Sequence, residues 1–261
     1  MSLNSSKDGR PRRRQKERQK EGWGSFISTI VYALLIALVV RTVAYEPFNI
    51  PSESMLPTLL VGDYIFVSKY SYGYSKHSII FSPDIGSGRI FASAPERGDV
   101  AVFKLPRDNS TDYVKRIIGL PGDSIQMRRG VLYINGQAVR RERGDDYVHA
   151  LPDGRAVSVP RYRETLPNGV AYDTLDLREN ADTDDTMVFT VPPGHYFAMG
   201  DNRDNSSDSR VASSGVGYVP AENLVGRVEV LFFSVDGSAE WWQVWKWPLA
   251  IRFGRLFRGV R

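Results

Sequence analysis

The spacing of apolar and polar positions divides this chain into two regimes. From Trp23 to Val40 the run WGSFISTIVYALLIALVV holds no charged residue and is mostly apolar. As a helix rising about 1.5 Å per residue it would reach ~27 Å, close to the thickness of a bilayer's hydrocarbon core. Past Pro47 this pattern gives way to short runs rich in β-branched and aromatic residues and punctuated by Gly and Pro: DYIFVSKY, DVAVFKL, YVKRIIGL, SIQM, VLYING, MVFTV, HYFAMGD and GRVEVLFF. Asn135-Gly136, set between VLYI and QAV, signals a two-residue hairpin.

The prediction is a mainly β protein: an antiparallel β-sheet body with a peripheral β subdomain, preceded by one N-terminal transmembrane helix. Residues 1–22 form a basic head, 23–45 the anchor, 46–139 and 191–235 the two parts of the β core, and 236–261 an aromatic and basic tail. Between them, residues 140–190 are more polar and read as loops or a peripheral insert. The tail, WWQVWKWPLAIRFGRLFRGVR, mixes four tryptophans with basic residues. It suits the membrane interface or a last helix packed on the body.

Charge adds direction to this picture. The formal charge of +4 is concentrated at the ends, with Arg10, Arg12, Arg13, Arg14, Lys16, Arg18 and Lys20 ahead of the apolar run and Arg252, Arg255, Arg258 and Arg261 at the close. Basic residues before a span keep that end cytoplasmic. Trp23 and Tyr45 bracket the span as interfacial aromatics, and Arg41 can snorkel to the headgroups. A buried core helix and a cleavable signal ending near Ala44 are the competing readings, but Thr42-Val43-Ala44 behind Arg41 is a poor small-x-small site. An uncleaved anchor puts the β body across the membrane, where neither ATP nor nucleic acid is expected.

With no cysteine, disulfides, thiolate metal sites and a cysteine nucleophile are excluded together. His77, His149 and His195 lack metal-ligand spacing and no GxSxG elbow accompanies them, so a Ser-His-Asp triad has no specific support. Lysine is the other available base. In DYVKRIIGLPGD, strand alternation places Lys115 on one face with Tyr113 and Ile117, and Val114 and Arg116 on the other. If that first face is buried, desolvation lowers the lysine's pKa and lets a neutral amine take a proton from serine. The alternative is a lysine that snorkels from the sheet surface.

PSESMLPTL (51–59), RGDVAVFKLP, YVKRIIGLPGD and GDNRDNSSDSR (200–210), following an anchor in this order, resemble the sequence boxes of bacterial type I signal peptidase, a membrane-bound serine-lysine protease family. The resemblance implies Ser54 as nucleophile and Lys115 as general base. It gives the Ser52 hydroxyl and the Ser54 N–H as the oxyanion hole, Ser206 as the hydroxyl that orients the lysine, and Asp208 with Arg210 as a pair bracing its loop. Glu53 departs from the family's usual glycine and would strain the turn if the position needs positive φ.

The resemblance further implies secretory preproteins as substrates, cut after small residues at −3 and −1. The peptide would be added as an extended strand beside apolar pockets formed by Met55, Leu56 and Ile65. It implies no cofactor, no metal and no nucleic acid, a monomer, and a single-pass location in the bacterial cytoplasmic membrane with the catalytic body outside. Pro47, Pro51 and Pro57 stiffen the segment that carries Ser54 and hold it near the bilayer. A self-cleaving repressor-type Ser-Lys protease and a membrane-anchored binding module are the alternatives.

Overall fold

A computed structural model describes residues 12–78, 88–150, 155–178, 180–211, 215–240 and 242–260. Its first element is a helix, α1 (Arg12–Val43), whose portion Trp23–Val43 is long and apolar enough to cross a membrane, with none of its apolar window buried in the body. The helix starts inside the basic head, whose Arg, Lys, Gln and Glu are good helix formers. It ends at Val43, two residues before the predicted end of the anchor, and Tyr45 already pairs in the first strand.

The strands that follow are β1 (Tyr45–Asn49), β2 (Asp63–Ser68), β3 (Val100–Lys104), β4 (Asp112–Gly119), β5 (Ser124–Arg128), β6 (Val131–Ile134) and β7 (Gln137–Ala138). The more polar stretch supplies β8 (Arg140–Arg143), β9 (Tyr147–Ala150), β10 (Ala156–Val159), β11 (Arg161–Thr165) and β12 (Ala171–Leu175). The chain then returns through β13 (Phe189–Thr190), β14 (His195–Met199), β15 (Val219–Pro220) and β16 (Leu224–Ser234), and the tail adds α2 (Trp247–Ala250) and β17 (Arg258–Gly259).

One large sheet runs in the order β1-β2-β16-β3-β4-β14-β15, with β17 beside β16. β13-β5-β6-β7 form a second sheet, β12-β11-β8 a third, and β9 pairs with β10. All these ladders are antiparallel, as hairpin-linked strands allow. Asn135 and Gly136, with φ of 52° and 77°, make the two-residue turn joining β6 to β7.

Two apolar clusters position the site. Ile118, Ile125, Leu132, Ile134, Phe197 and Met199 fill the space between the large and second sheets. Ile50, Met55, Leu59, Ile65, Val100 and Leu231 pack under the loop joining β1 to β2. Each such side chain contributes roughly 1.5–3 kcal/mol on full burial. The segment that follows β2 also grips the end of the anchor. Tyr74 Oη donates to Val43 O at 2.5 Å, the Lys69 N–H to Ala44 O at 2.9 Å, and the buried Lys69 ammonium pairs with Glu46 at 2.9 Å.

Candidate active site

The loop between β1 and β2 closes on itself because the Ile50 N–H donates to Asp63 O at 2.8 Å and the Gly62 N–H to Ile50 O at 2.9 Å. Gly62 adopts φ +87°, and a Cβ there would meet Val235 O at 2.1 Å. Inside the loop, Met55 and Leu59 plunge into the core while Ser54 stays at its surface edge. Glu53 is not among the residues with positive φ, so glutamate is accommodated without the strain that a left-handed position would impose.

Lys115 reaches this loop from β4, a strand buried on both faces over its second half. Its side chain is 3% exposed, and Nζ donates to Ser54 Oγ at 2.7 Å and to Val114 O at 3.0 Å, with the Tyr113 ring centroid 5.3 Å away. Burial lowers the Lys115 pKa to about 8, against the opposing pull of the Asp208 and Asp201 charges. The Ser52 hydroxyl lies 3.4 Å from Ser54 Oγ.

The segment Gly200–Arg210 forms the floor. Its Asn202 N–H donates to Ser54 O at 3.1 Å and its Asn202 Nδ2 to Glu53 O at 3.0 Å, pinning the serine loop by its backbone. Gly200 is in close contact with this loop: a Cβ there would meet Ser206 Oγ at 2.2 Å and Ser54 O at 2.5 Å. The Asp208 carboxylate accepts from the Gly200 N–H at 2.9 Å and from Arg210 Nη2 at 2.9 Å. Burial pushes that carboxyl up, but the Arg210 guanidinium and the donated bonds outweigh it and hold it below its ordinary value.

Ser206 differs from expectation. Lys115 bonds to Ser54 and Val114 instead, and the buried Ser206 Oγ, turned toward Gly200, has no hydrogen-bond partner among the described residues. The apolar pocket is also differently composed. A cleft of about 500 Å³ runs along Phe48–Met55 and Asp112–Lys115 and ends near Asn205 and Ser207. Met55 lines it, but Leu56 packs on Val159 and Leu175, and Ile65 is fully buried in the core. Ile65 sits on the inward face of β2, and Leu56 turns away from the cleft because the chain bends there. Phe48, Ile50 and Val114 take their places.

Several supporting groups were not singled out from the sequence. Arg116, fully buried next to Lys115, donates to both oxygens of Asp201 at 2.8 and 2.7 Å, and Thr58 Oγ1 donates to the same carboxylate at 2.5 Å. Arg203 makes a similar buried pair with Glu164 of β11 at 2.8 and 2.5 Å. Glu53 contacts His149 Nε2 at 3.3 Å and accepts from Asn205 Nδ2 at 3.2 Å, linking the serine loop to β9. Arg116, Asp201 and Arg203 all lie within the quoted motifs; Glu164 and His149 come from distant sequence. The carboxylates of Asp176, Asp184 and Asp204 gather within 4.8 Å, with Arg141 paired to Asp176 at 2.5 Å.

Residues 23–233 match the family model described as signal peptidase, peptidase S26. The chain belongs to that family. Proteins of Rickettsia conorii and Rickettsia typhi described as signal peptidase I are each 40% identical to it, over 92% and 89% of this chain and 93% and 92% of their own. A crystal structure of a signal peptidase I from Enterococcus faecalis aligns at 30% identity over 52% of this chain and 97% of that one, with a TM-score of 0.30. As an S26 peptidase the protein is a serine protease, its family's reaction is the removal of signal peptides from preproteins, and its apolar helix fits a membrane-anchored enzyme.

Proposed function

We propose that the peptidase cleaves secretory preproteins through an acyl-enzyme on Ser54, with Lys115 as general base. The observation that carries this reading is the 2.7 Å contact between Ser54 Oγ and a buried lysine whose pKa is depressed to about 8. With the lysine neutral, the hydrogen bond reverses and the Ser54 hydroxyl donates to the amine. The amine takes the proton as Oγ attacks the scissile carbonyl, and the resulting ammonium returns it to the leaving amine. A water then attacks the acyl carbon as the neutral Lys115 amine takes its proton, and the ammonium returns that proton to Ser54 Oγ as the ester bond breaks and the acid product leaves.

The Ser52 hydroxyl and the Ser54 N–H are the proposed donors to the oxyanion, each contributing ~3 kcal/mol as negative charge develops. Ser206 is retained as the orienting hydroxyl because its buried oxygen has no hydrogen-bond partner among the described residues and so is available to the amine. Asp208 with Arg210 keeps the floor in place. A preprotein would lie extended between Phe48–Ser52 and Asp112–Lys115, with small residues at −3 and −1 set by the limited apolar room near Met55, Ile50 and Val114.

In this reading the N-terminus is cytoplasmic, the β body faces the extracytoplasmic side as a monomer, and the tail rests on the lipid surface. Residues 1–22, 23–45, 46–139 with 191–235, 140–190 and 236–261 serve as head, anchor, catalytic core, insert and interface segment. The test is incubation of the detergent-solubilised full chain with a preprotein, followed by sequencing of the product's new N-terminus. The expected result is one cut after a small-x-small site, absent with Ser54→Ala; cleavage by Ser54→Ala at the wild-type rate overturns the proposal.

A further inference from the structure

A second cavity, about 450 Å³ in volume, is bounded by Pro57, Thr58 and Leu60 of the serine loop, by β11, β12 and the tail, and by Tyr147 of β9 and Leu231 of β16. The mechanism proposed above makes no use of it. Four guanidinium side chains line it: Arg161, Arg163, Arg255 and Arg258. Arg255 is committed to Asp63, at 3.1 and 2.5 Å, and to Thr58 O at 3.0 Å. Arg161 and Arg163 share one carboxylate, Asp173, at 3.8 and 3.1 Å, and Arg258 makes no ion pair among the described residues. Setting Arg161, Arg163 and Arg258 against Asp173 leaves a surplus of two positive charges in a concave site.

Such a surplus raises the local concentration of anions, and guanidinium forks match the oxygens of a phosphate group. The tail that brings Arg255 and Arg258 also displays Trp245, Leu249, Phe253 and Phe257 at 66%, 85%, 61% and 78% exposure. Large apolar side chains beside arginines are the composition of a segment lying at a lipid surface. Two of the cavity's arginines, Arg255 and Arg258, therefore belong to the same stretch of chain as these apolar side chains.

We infer that this cavity binds the phosphodiester of an anionic lipid headgroup, with the tail's aromatic side chains resting in the neighbouring acyl boundary. The inference rests on the tail's placement at the membrane and is independent of the Ser54 chemistry. Because the cavity touches Pro57 and Thr58, a bound headgroup would buttress the loop that presents the nucleophile.

The test uses the detergent-solubilised full chain and three probes: dioctanoylphosphatidylglycerol, dioctanoylphosphatidylcholine and inorganic phosphate, with binding followed by native mass spectrometry. Wild type is compared with Arg161→Ala/Arg258→Ala and with Arg12→Ala/Arg13→Ala, which removes equal charge from the basic head. The expected result is saturable phosphatidylglycerol binding that falls about thirtyfold in the cavity variant and little in the head variant. Phosphatidylcholine, whose cation is repelled, should bind more weakly, as should phosphate alone.

Equal losses in both variants, or no loss in the cavity variant, overturn the inference; phosphate binding as tightly as the lipid overturns the lipid assignment. Near-UV circular dichroism run in parallel reports whether the cavity variant folds, and if it does not, Arg163→Gln takes its place. Wild type that cleaves in a Ser54-dependent way but does not bind phosphatidylglycerol counts against this inference alone, whereas wild type that binds it without any cleavage counts against the protease mechanism alone.

Discussion

Replacing Lys115 by methionine should abolish cleavage and, at neutral pH, make the protein more stable. The lysine's pKa drops from 10.5 to about 8 on burial. At 1.36 kcal/mol per unit, holding the ammonium inside the fold costs about 3 kcal/mol. Methionine has a similar shape and no charge to desolvate, but it forfeits the bond to Ser54, which offsets about 1 kcal/mol. A net gain near 2 kcal/mol corresponds to about 4–8 °C in Tm for a chain of this size.

The pH dependence gives the sign. Below pH 8 the lysine is protonated in both folded and unfolded chains, so wild type carries the whole cost. Between about 8 and 10.5 the folded lysine loses its proton first, and wild-type stability rises toward that of the variant. Thermal unfolding of both proteins in the same detergent, followed by near-UV circular dichroism at pH 7 and pH 10, reads this directly. A Lys115→Met protein that melts at or below wild type at pH 7, with a gap unchanged at pH 10, would refute the claim that the lysine is held there at an electrostatic cost.

Three further outcomes follow from the same geometry. Ser52→Ala should lower kcat ~10²-fold with little change in KM, as expected for the loss of one oxyanion donor, in steady-state cleavage of a peptide substrate. Gly200→Ala should sharply reduce activity, because a Cβ 2.5 Å from Ser54 O must displace the serine loop; turnover within a few fold of wild type contradicts that contact. Arg203→Met leaves the buried Glu164 carboxylate with only the Tyr172 hydroxyl and a more distant Arg141 and should cost about 3 kcal/mol in urea unfolding, whereas removing both charges together should cost much less.

Much of this arrangement is legible in the sequence because its signals are local. The uncharged run after Trp23, the β-rich runs and Asn135-Gly136 each carry their own periodicity or turn chemistry, and the structure has a helix, strands and a hairpin at those places. Ser54 and Lys115 lie in short motifs, and the fold brings them within hydrogen-bond reach.

What escaped is non-local. Alternation along β4 puts Lys115 and Arg116 on opposite faces, yet nothing in the strand reveals that both faces are covered and that Arg116 is buried against Asp201. Leu56 and Ile65 have the right chemistry for a pocket, but only the loop's bend and the inward face of β2 exclude them from it. The contact of Glu53 with His149 joins segments whose approach depends on how the polar stretch packs, which no local pattern encodes.

The most direct test of the central claim is the pH dependence of kcat/KM for preprotein cleavage by the detergent-solubilised full chain. A buried lysine acting as base predicts an acidic limb that rises with unit slope and bends at about pH 8, as the free enzyme's amine loses its proton. An acidic limb bending near pH 6.5, where an ordinary histidine titrates, or a rate flat from pH 6 to 9, would contradict the assignment of Lys115 as the base.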